Sequence, residues 1–513
     1  MAQPRRLGDI LSPVTFTFAT SLLLSIIAVT SGNLNRDGML YVETARAFID
    51  GGLTAAIQVF SWPFLPVLMG LLAELTGLPP EWCGHALNVL FMSGACALLV
   101  DLVRRNDPQL AWLAAVVVLA LPGLNDYRNE LIREYGCWFF LLLAFRLAID
   151  WPARPGWRRA LAIQASLLLA ALFRPEVLVF YPCLVLWQHF RAAPEKRWSG
   201  SLMLGALPAL GLLVLLAAYF TGALGGSSRL ANELARFDFL GRFDATASAM
   251  SQAFNAYARE EAETAHTILF FGSLALIPWK FIGKLGIFVI PLLAFLLSHG
   301  KAERYRRHDL LLWALGGYLL ILAIFVLQQQ FISGRYLGLL LMFTLPFVAY
   351  GVHDLVQRFP RSWLPILGLC LLLALANVVS LKPGKQHFAA AGSWLHSQYV
   401  ETPRIYLDSA RTAHYASWKF TTRLATVPRE KLLADVLAGR YDVVILEVSR
   451  KDSEIGAWAG TAGLAEVQRF ADRNGDAIVV YVPTGRSLPP TTASSKASSR
   501  APTTADEYSA ATR

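Results

Sequence analysis

Asp37 lies in the stretch Arg36-Asp37-Gly38-Met39-Leu40-Tyr41, directly after the first long apolar run of the chain. An acid at the mouth of a membrane-spanning helix is costly to leave unpaired, so it marks a candidate functional site. Asp37 and Tyr41 are four residues apart and share a face if a helix begins here. A carboxylate so placed can act as a general base that deprotonates an acceptor hydroxyl. The same position also suits a helix N-cap, where Asp37 would only hydrogen-bond the first amides. The segment Tyr41 to Asp50 sets Leu40, Ala45, Phe48 and Ile49 against Glu43, Arg46 and Asp50. That pattern predicts a helix lying in the membrane interface, with the first set toward lipid.

Three further clusters carry charge. In Asn125-Asp126-Tyr127-Arg128-Asn129-Glu130-Leu131-Ile132-Arg133-Glu134, the residues Glu130, Arg133 and Glu134 fall on one helical face. Arg128 or Arg133 could hold a phosphate by paired hydrogen bonds while Glu130 or Glu134 orients it. The alternative is a neutralised salt-bridge network that packs helices together. Arg174-Pro175-Glu176 is a proline-broken helix end with an ion pair. Arg335-Tyr336 follows Gln328-Gln329-Gln330; Arg335 is either a phosphate ligand or an arginine snorkelling to the interface. Lys280 and Lys284 flank an apolar helix at the same level, with Trp279 as an interface anchor. Gathered on one side of a membrane, these clusters form a basic cavity with several acids at the lipid boundary. An anionic polyprenyl-phosphate head group suits such a cavity.

The elements that must position these residues are membrane helices. The chain is 55% hydrophobic and 16% charged, against about 25% charged in ordinary soluble domains; its mean hydropathy is +0.45. Spanning helices are predicted near 13–31, 83–103, 110–124, 135–150, 159–173, 177–190, 200–221, 281–298, 309–328, 335–353 and 362–380. The first follows Arg5 and Arg6 without a small-residue cleavage site and reads as a retained helix. With the N-terminus inside, sixteen Lys and Arg collect in the cytoplasmic segments, against Arg36, Arg46, Arg128, Arg133, Arg174 and Arg335 in the short outer loops. This asymmetry sets the orientation. Reading 62–78 as a further span would invert the later loops, so that run is expected to be a second interfacial helix. Residues 222–280 read as a long outer loop with helix-like stretches at Arg229–Phe239 and Ala245–Ala265.

After 381 the character changes. Strands are predicted at 404–408, 441–446 and 477–482, with helices at Trp394–Val400, Arg429–Leu437 and Leu464–Asn474. The expected domains are therefore a transmembrane domain at 1–381, an extracytoplasmic α/β domain at 382–483 and a disordered Ser/Thr/Ala/Pro-rich tail at 484–513. The net charge of +10 sits in short loops and is not a nucleic-acid footprint. No Walker-type phosphate loop is present, and no repeat suggests a secondary transporter. The five cysteines lack metal spacing. Cys83 and Cys137 both fall near outer helix ends, where a disulfide or two buried small hydrophobes would fit.

Several stretches resemble the polytopic C-type glycosyltransferases, which include protein O-mannosyltransferases and the lipid A aminoarabinose transferase. Arg36-Asp37-Gly38-x-x-Tyr41 followed by Trp62-Pro63-Phe64-Leu65-Pro66-Val67-Leu68 resembles that family's acid-bearing first outer loop and the start of its second interfacial helix. Arg133-Glu134 followed by Phe139-Phe140-Leu141-Leu142-Leu143-Ala144 resembles its fourth helix. Gly334-Arg335-Tyr336-Leu337 resembles its Arg-Tyr entry to a late helix, and 390–415 the start of its outer C-terminal domain. The layout matches over most of 1–415. The mannosyltransferases' Asp-Glu pair is absent, because Gly38 follows Asp37; a metal is not supported here and no cofactor is expected. The family's acid on helix four corresponds to Glu134 or Glu130.

The resemblance implies an all-α polytopic membrane protein of about eleven transmembrane helices plus interfacial helices, with a small C-terminal α/β extracytoplasmic domain. It implies an inverting glycosyltransferase of the inner (plasma) membrane. The partners would be a polyprenyl-phosphate-sugar donor, an unassigned acceptor and membrane lipids, with no nucleic acid. Asp37 is the expected base, with Glu134 and Glu130 as further catalytic acids. Arg36, Tyr41, Arg128, Arg133, Arg174, Glu176, Arg335 and Tyr336 would bind substrate. The alternatives are a lipid-linked glycan ligase or polymerase, and a lipid or solute transporter.

Overall fold

The computed structural model describes residues 12–31, 34–221, 239–254, 264–379, 386–399, 404–419, 427–452 and 454–484. The helix-like stretch read at 229–238 and the tail from 485 lie outside them. The chain divides into two compact units at Lys382/Pro383.

The first unit is helical. α1 (Pro13–Ser31) packs on α4 (Pro80–Asn106), and between them run α2 (Arg36–Val59) and α3 (Phe64–Thr76). α2 is broken at Gly51 and Gly52. Gly52 sits at φ 70°, a conformation that costs a residue with a Cβ but not glycine. α3 has 13 residues, about 20 Å of helix, well short of a bilayer core of about 30 Å. The chain continues through α5 (Ala111–Ala120), α6 (Glu134–Ala148), α7 (Trp157–Phe173), α8 (Phe180–Arg191), α9 (Pro194–Phe220) and α10 (Phe239–Phe254). α11 (Ala265–Leu285), α12 (Val289–Leu297), α13 (Asp309–Gln329), α14 (Gly338–Arg358) and α15 (Trp363–Ala376) complete it.

Five segments are long and apolar enough to cross a membrane: Pro13–Thr30, Pro80–Asn106, Ala265–Leu297, Asp309–Gln329 and Gly334–Arg358. Length and apolarity therefore do not reproduce the expected eleven spans. Several of the rest are helices of 10 to 17 residues, too short to cross a full bilayer unaided.

Two expectations about this unit are corrected. Residues 265–280, expected within the long outer loop, belong to a segment long and apolar enough to cross a membrane: α11 starts at Ala265, and its chain bends at Gly286 before α12. Lys280 and Lys284 had masked this span by lowering its apparent hydropathy. The face of α2 is also different from that expected. Ala45 is fully buried, and Phe48 packs against Gly70 of α3. Only Ile49 of the set expected at lipid is largely exposed. The apolar stripe of α2 covers a neighbouring helix.

The second unit carries α16 (Gln386–Gln398), β1 (Ile405–Leu407), α17 (Ala410–Tyr415), α18 (Arg429–Leu437), β2 (Val443–Val448), α19 (Ile455–Thr461), β3 (Leu464–Ala471) and β4 (Ala477–Pro483). The sheet order is β1-β2-β4-β3, with β1 and β2 parallel and the other pairs antiparallel. Both faces of β2 and β4 are covered, which explains their unbroken apolar runs. The segment from Leu464 is a strand, not the expected helix. A register shift between Glu466 and Gln468 resets the alternation, so Leu464, Val467 and Phe470 turn inward at a spacing of three that mimics a helix. All five cysteines are free, and Cys83 and Cys137 are buried singly.

Candidate active site

The charged tips of the first unit meet at one end of the helical bundle. Asp37 stands at the second position of α2 and does not act as its cap; Asn35 precedes the helix in the cap position. The Asn35 side-chain oxygen accepts from the Leu131 amide at 3.0 Å, which ties the start of α2 to the loop before α6. Gly38 fits because there is no room for more: a Cβ there would lie 2.7 Å from Asn35 Oδ1 and 3.0 Å from Leu131 Cβ. A second acid after Asp37 would not fit this packing.

Arg335 emerges from the turn Gly334–Leu337 before α14. Its Nη1 donates to Asp37 Oδ2 at 2.6 Å and lies 3.7 Å from Glu130. Arg174, at the end of α7, donates to Glu134 at 2.5 Å and forks onto Glu176. Its guanidinium stacks 4.7 Å above the Tyr336 ring. Glu134, Arg174, Glu176, Arg335 and Tyr336 line one cavity of about 10 Å³, about the room of one water centre. Arg133 lies 5.1 Å over the Phe60 ring, which in turn packs on Tyr41. Among the described residues no carboxylate is within ion-pair distance of Arg133.

α11 braces this end. Lys284 donates to Asp126 at 2.8 Å and sits over the Tyr127 ring. Lys280 donates to the Ile332 carbonyl at 2.7 Å. Lys280 therefore holds the segment that leads into Arg335, and Lys284 holds the 125–133 loop beside it. Gly334 makes room for Lys284 and Tyr127: a Cβ there would meet Tyr127 Oη at 2.4 Å and Lys284 Cε at 2.5 Å.

The structure thus brings together Asp37, Glu130, Glu134, Arg174, Glu176, Arg335 and Tyr336, with Arg133 adjacent. It does not bring Arg128. That side chain is buried and turned into the bundle, where it donates to Asn125, to the Ser21 carbonyl and to the hydroxyls of Ser21 and Ser25. It rivets α1 to the 125–133 loop, and its expected role as a phosphate ligand is corrected accordingly. The sequence signal was the Ser21/Ser25 pair, two hydroxyls on one face of an apolar helix. Tyr41 is also covered, 4% exposed, and supports the site from beneath instead of facing a substrate. Arg36 is exposed at the start of α2. Sequence reasoning missed Asp126 and Tyr127 as partners of Lys284, and Tyr318, whose hydroxyl donates to the Tyr336 carbonyl at 2.6 Å.

No family model matches this sequence, and neither does any curated protein. Among solved structures, the chain is similar to an oligosaccharyltransferase of Archaeoglobus fulgidus tethered with an acceptor peptide containing the NVT sequon. The identity is 12%, the TM-score 0.50, and the match covers 91% of this chain and 74% of that one. It is also similar to ArnT of Cupriavidus metallidurans, over 91% of this chain and 97% of that one. The apo state matches at 14% identity and TM-score 0.42, the form bound to undecaprenyl phosphate at 13% and 0.44. At such identities the likeness is one of fold, shared with the oligosaccharyltransferase.

Proposed function

We propose that this protein is an inverting membrane glycosyltransferase. It would take a sugar from a polyprenyl-phosphate donor and pass it to an acceptor on the extracytoplasmic face. The observation that carries the reading is the Asp37–Arg335 contact at 2.6 Å. It sets a carboxylate able to accept a proton beside a guanidinium able to hold a phosphate, at the end of a helical bundle where a lipid head group would lie in this reading. The likeness in fold to an oligosaccharyltransferase supports group transfer on such a scaffold, although a fold by itself does not fix an activity.

In this reading Asp37 takes the proton of the acceptor nucleophile. The acceptor atom bonds to the anomeric carbon as the bond from that carbon to the phosphate oxygen breaks, and the electron pair stays on the phosphate. A single direct displacement inverts the anomeric centre. Arg335 and Arg133 would stabilise the charge that develops on the departing phosphate. Arg174, held by two carboxylates, would set the shape of the cavity, with Glu130 and Glu134 as the acids that hold the arginines in place. No step calls on a metal or an organic cofactor.

A transferase that moves a lipid-linked oligosaccharide is the second reading, favoured by the same likeness to the oligosaccharyltransferase. A transporter is disfavoured by where the ion pairs lie: they gather at the helix ends, and Arg128, turned into the bundle, is taken up by hydroxyl, carbonyl and amide oxygens and not by a substrate path. The experiment is mass spectrometry of envelope glycoconjugates from cells with the wild-type protein, without it, and with Asp37→Asn. The wild type should restore a glycan mass that Asp37→Asn, folded and inserted, does not. A single-sugar difference supports the first reading and an oligosaccharide difference the second. Restoration by Asp37→Asn would remove Asp37 as base.

A further inference from the structure

The charges at this end of the bundle are balanced against one another: Arg174 by Glu134 and Glu176, Lys284 by Asp126, and Arg335 by Asp37 and Glu130. The carboxylates differ in how firmly they are held. The side chain of Glu134 is 7% exposed, whereas that of Asp37 is 41% exposed. Arg335, in contrast, is mostly covered, at 22%. The close contact with Asp37 uses a single nitrogen of its guanidinium, so the pair has one donor-acceptor bond where Arg174 has a fork. Asp37 can therefore swing toward solvent while Arg335 stays in place, and no other described pair at this site combines a fixed cation with so exposed an acid.

While the pair stands, the charge of Arg335 is spent on Asp37. A phosphate arriving at this end of the bundle has to share or take that guanidinium. We propose that Asp37 and the donor's phosphate compete for Arg335, so that Asp37 is released to face an acceptor only once the donor is bound. This rests on the roles given to Asp37 and Arg335 above and adds an order to them: donor first, base second. The same carboxylate that carries out the reaction keeps the empty site closed. Glu130, 3.7 Å from the same nitrogen, is placed to keep Arg335 oriented during the exchange.

The test needs no knowledge of the sugar or the acceptor. The full-length protein in lipid nanodiscs is titrated with a polyprenyl monophosphate, and binding is compared for wild type, Asp37→Asn, Arg335→Ala and the double variant. Removing the competing carboxylate should tighten binding about two- to fivefold, the scale of a partly exposed ion pair. In the Arg335→Ala background the same change should give no gain. Asp37→Ser, also neutral but smaller, should reproduce the gain if Asp37→Asn perturbs the start of α2. Unchanged or weaker binding in both neutral variants overturns the proposal. So does a gain that persists without Arg335, because that is the mark of a general field and not of competition for one guanidinium. If wild type binds and neither neutral variant gains, the gate falls and the proposed function stands. If wild type does not bind the lipid phosphate at all, both fall.

Discussion

Arg174, Arg335 and Arg128 share a charge and lie within one region of the sequence's predicted outer surface, yet the structure gives them three different tasks. Arg128 replaces water with two serine hydroxyls, a carbonyl and an amide oxygen inside the bundle. Arg174 is fixed between two acids, whereas Arg335 has one close acid and Arg133 none among the described residues. Distinct mutational signatures follow. Arg335→Ala and Arg133→Ala should each weaken binding of a polyprenyl phosphate about tenfold or more, since a charge-assisted phosphate contact is worth roughly 1.5–3 kcal/mol. Arg128→Ala should leave the affinity of the folded protein unchanged and lower its stability by about 1.5–3 kcal/mol, the worth of hydrogen bonds to a buried charge. Lipid titration and denaturant unfolding of the same preparations separate the two classes. A loss of affinity in Arg128→Ala with normal stability would return it to the binding site.

The second unit shows what an element's placement does to a single acid. Asp408 ends β1, with its carboxylate accepting the Glu447 amide at 2.7 Å. Burial, reinforced by the neighbouring Glu447 carboxylate, pushes Asp408 up from the ordinary carboxylate range to about 7. A folded-state value above the unfolded one favours the protonated form in the fold. Its contribution is full below the ordinary carboxylate range and is lost as pH rises toward 7. Unfolding of this unit, followed by a probe at exposed Ser397, should therefore show a melting temperature that falls between about pH 4 and about pH 7 and levels off above. Asp408→Asn keeps the acceptor oxygen and should flatten that fall; an unchanged slope would assign it to other groups. Legibility followed the same logic of placement. β2 and β4 were readable as continuous apolar runs because both their faces are covered. β3 was not, because a bulge gave it helical spacing. α11 was hidden by two lysines whose partners, Asp126 and the Ile332 carbonyl, are distant in sequence. Asp37, Glu134, Arg174 and Arg335 were legible as separate charged tips, but their pairing was not, since no local pattern encodes which acid meets which arginine.

At the scale of the whole chain, the bundle carries charged clusters at both ends, with Arg128 turned into its body among serine oxygens. Opposite the candidate site, Asp101 gathers Arg104, Arg105 and Arg146, and Asp107 holds Arg307 and Tyr350. The sequence-based orientation places that second end in the cytoplasm and the candidate site outside. Cysteine labelling tests it on a quiet background, because four of the five native thiols are buried and the fifth is half-buried. Ser397→Cys should react with a membrane-impermeant reagent in intact cells, and Ser199→Cys only after permeabilisation. The reverse pattern would put Asp37 and Arg335 on the cytoplasmic side and remove the basis of the proposed reaction.

The bond between Asp37 and Arg335 joins residues 298 positions apart. At about 5–20 residues per second, a ribosome makes the acid about 15 to 60 s before its arginine. Through that interval Asp37 and Glu130 wait at the membrane surface without the cation that balances them, and the first helices stand without α14 to close the cavity. The site is therefore a late product of synthesis, completed when Ile332 and the turn after it dock onto Lys280. A chain cut short before that point holds every acid of the site and cannot complete it, and its unpaired carboxylates give a quality-control protease a means of telling unfinished copies from finished ones.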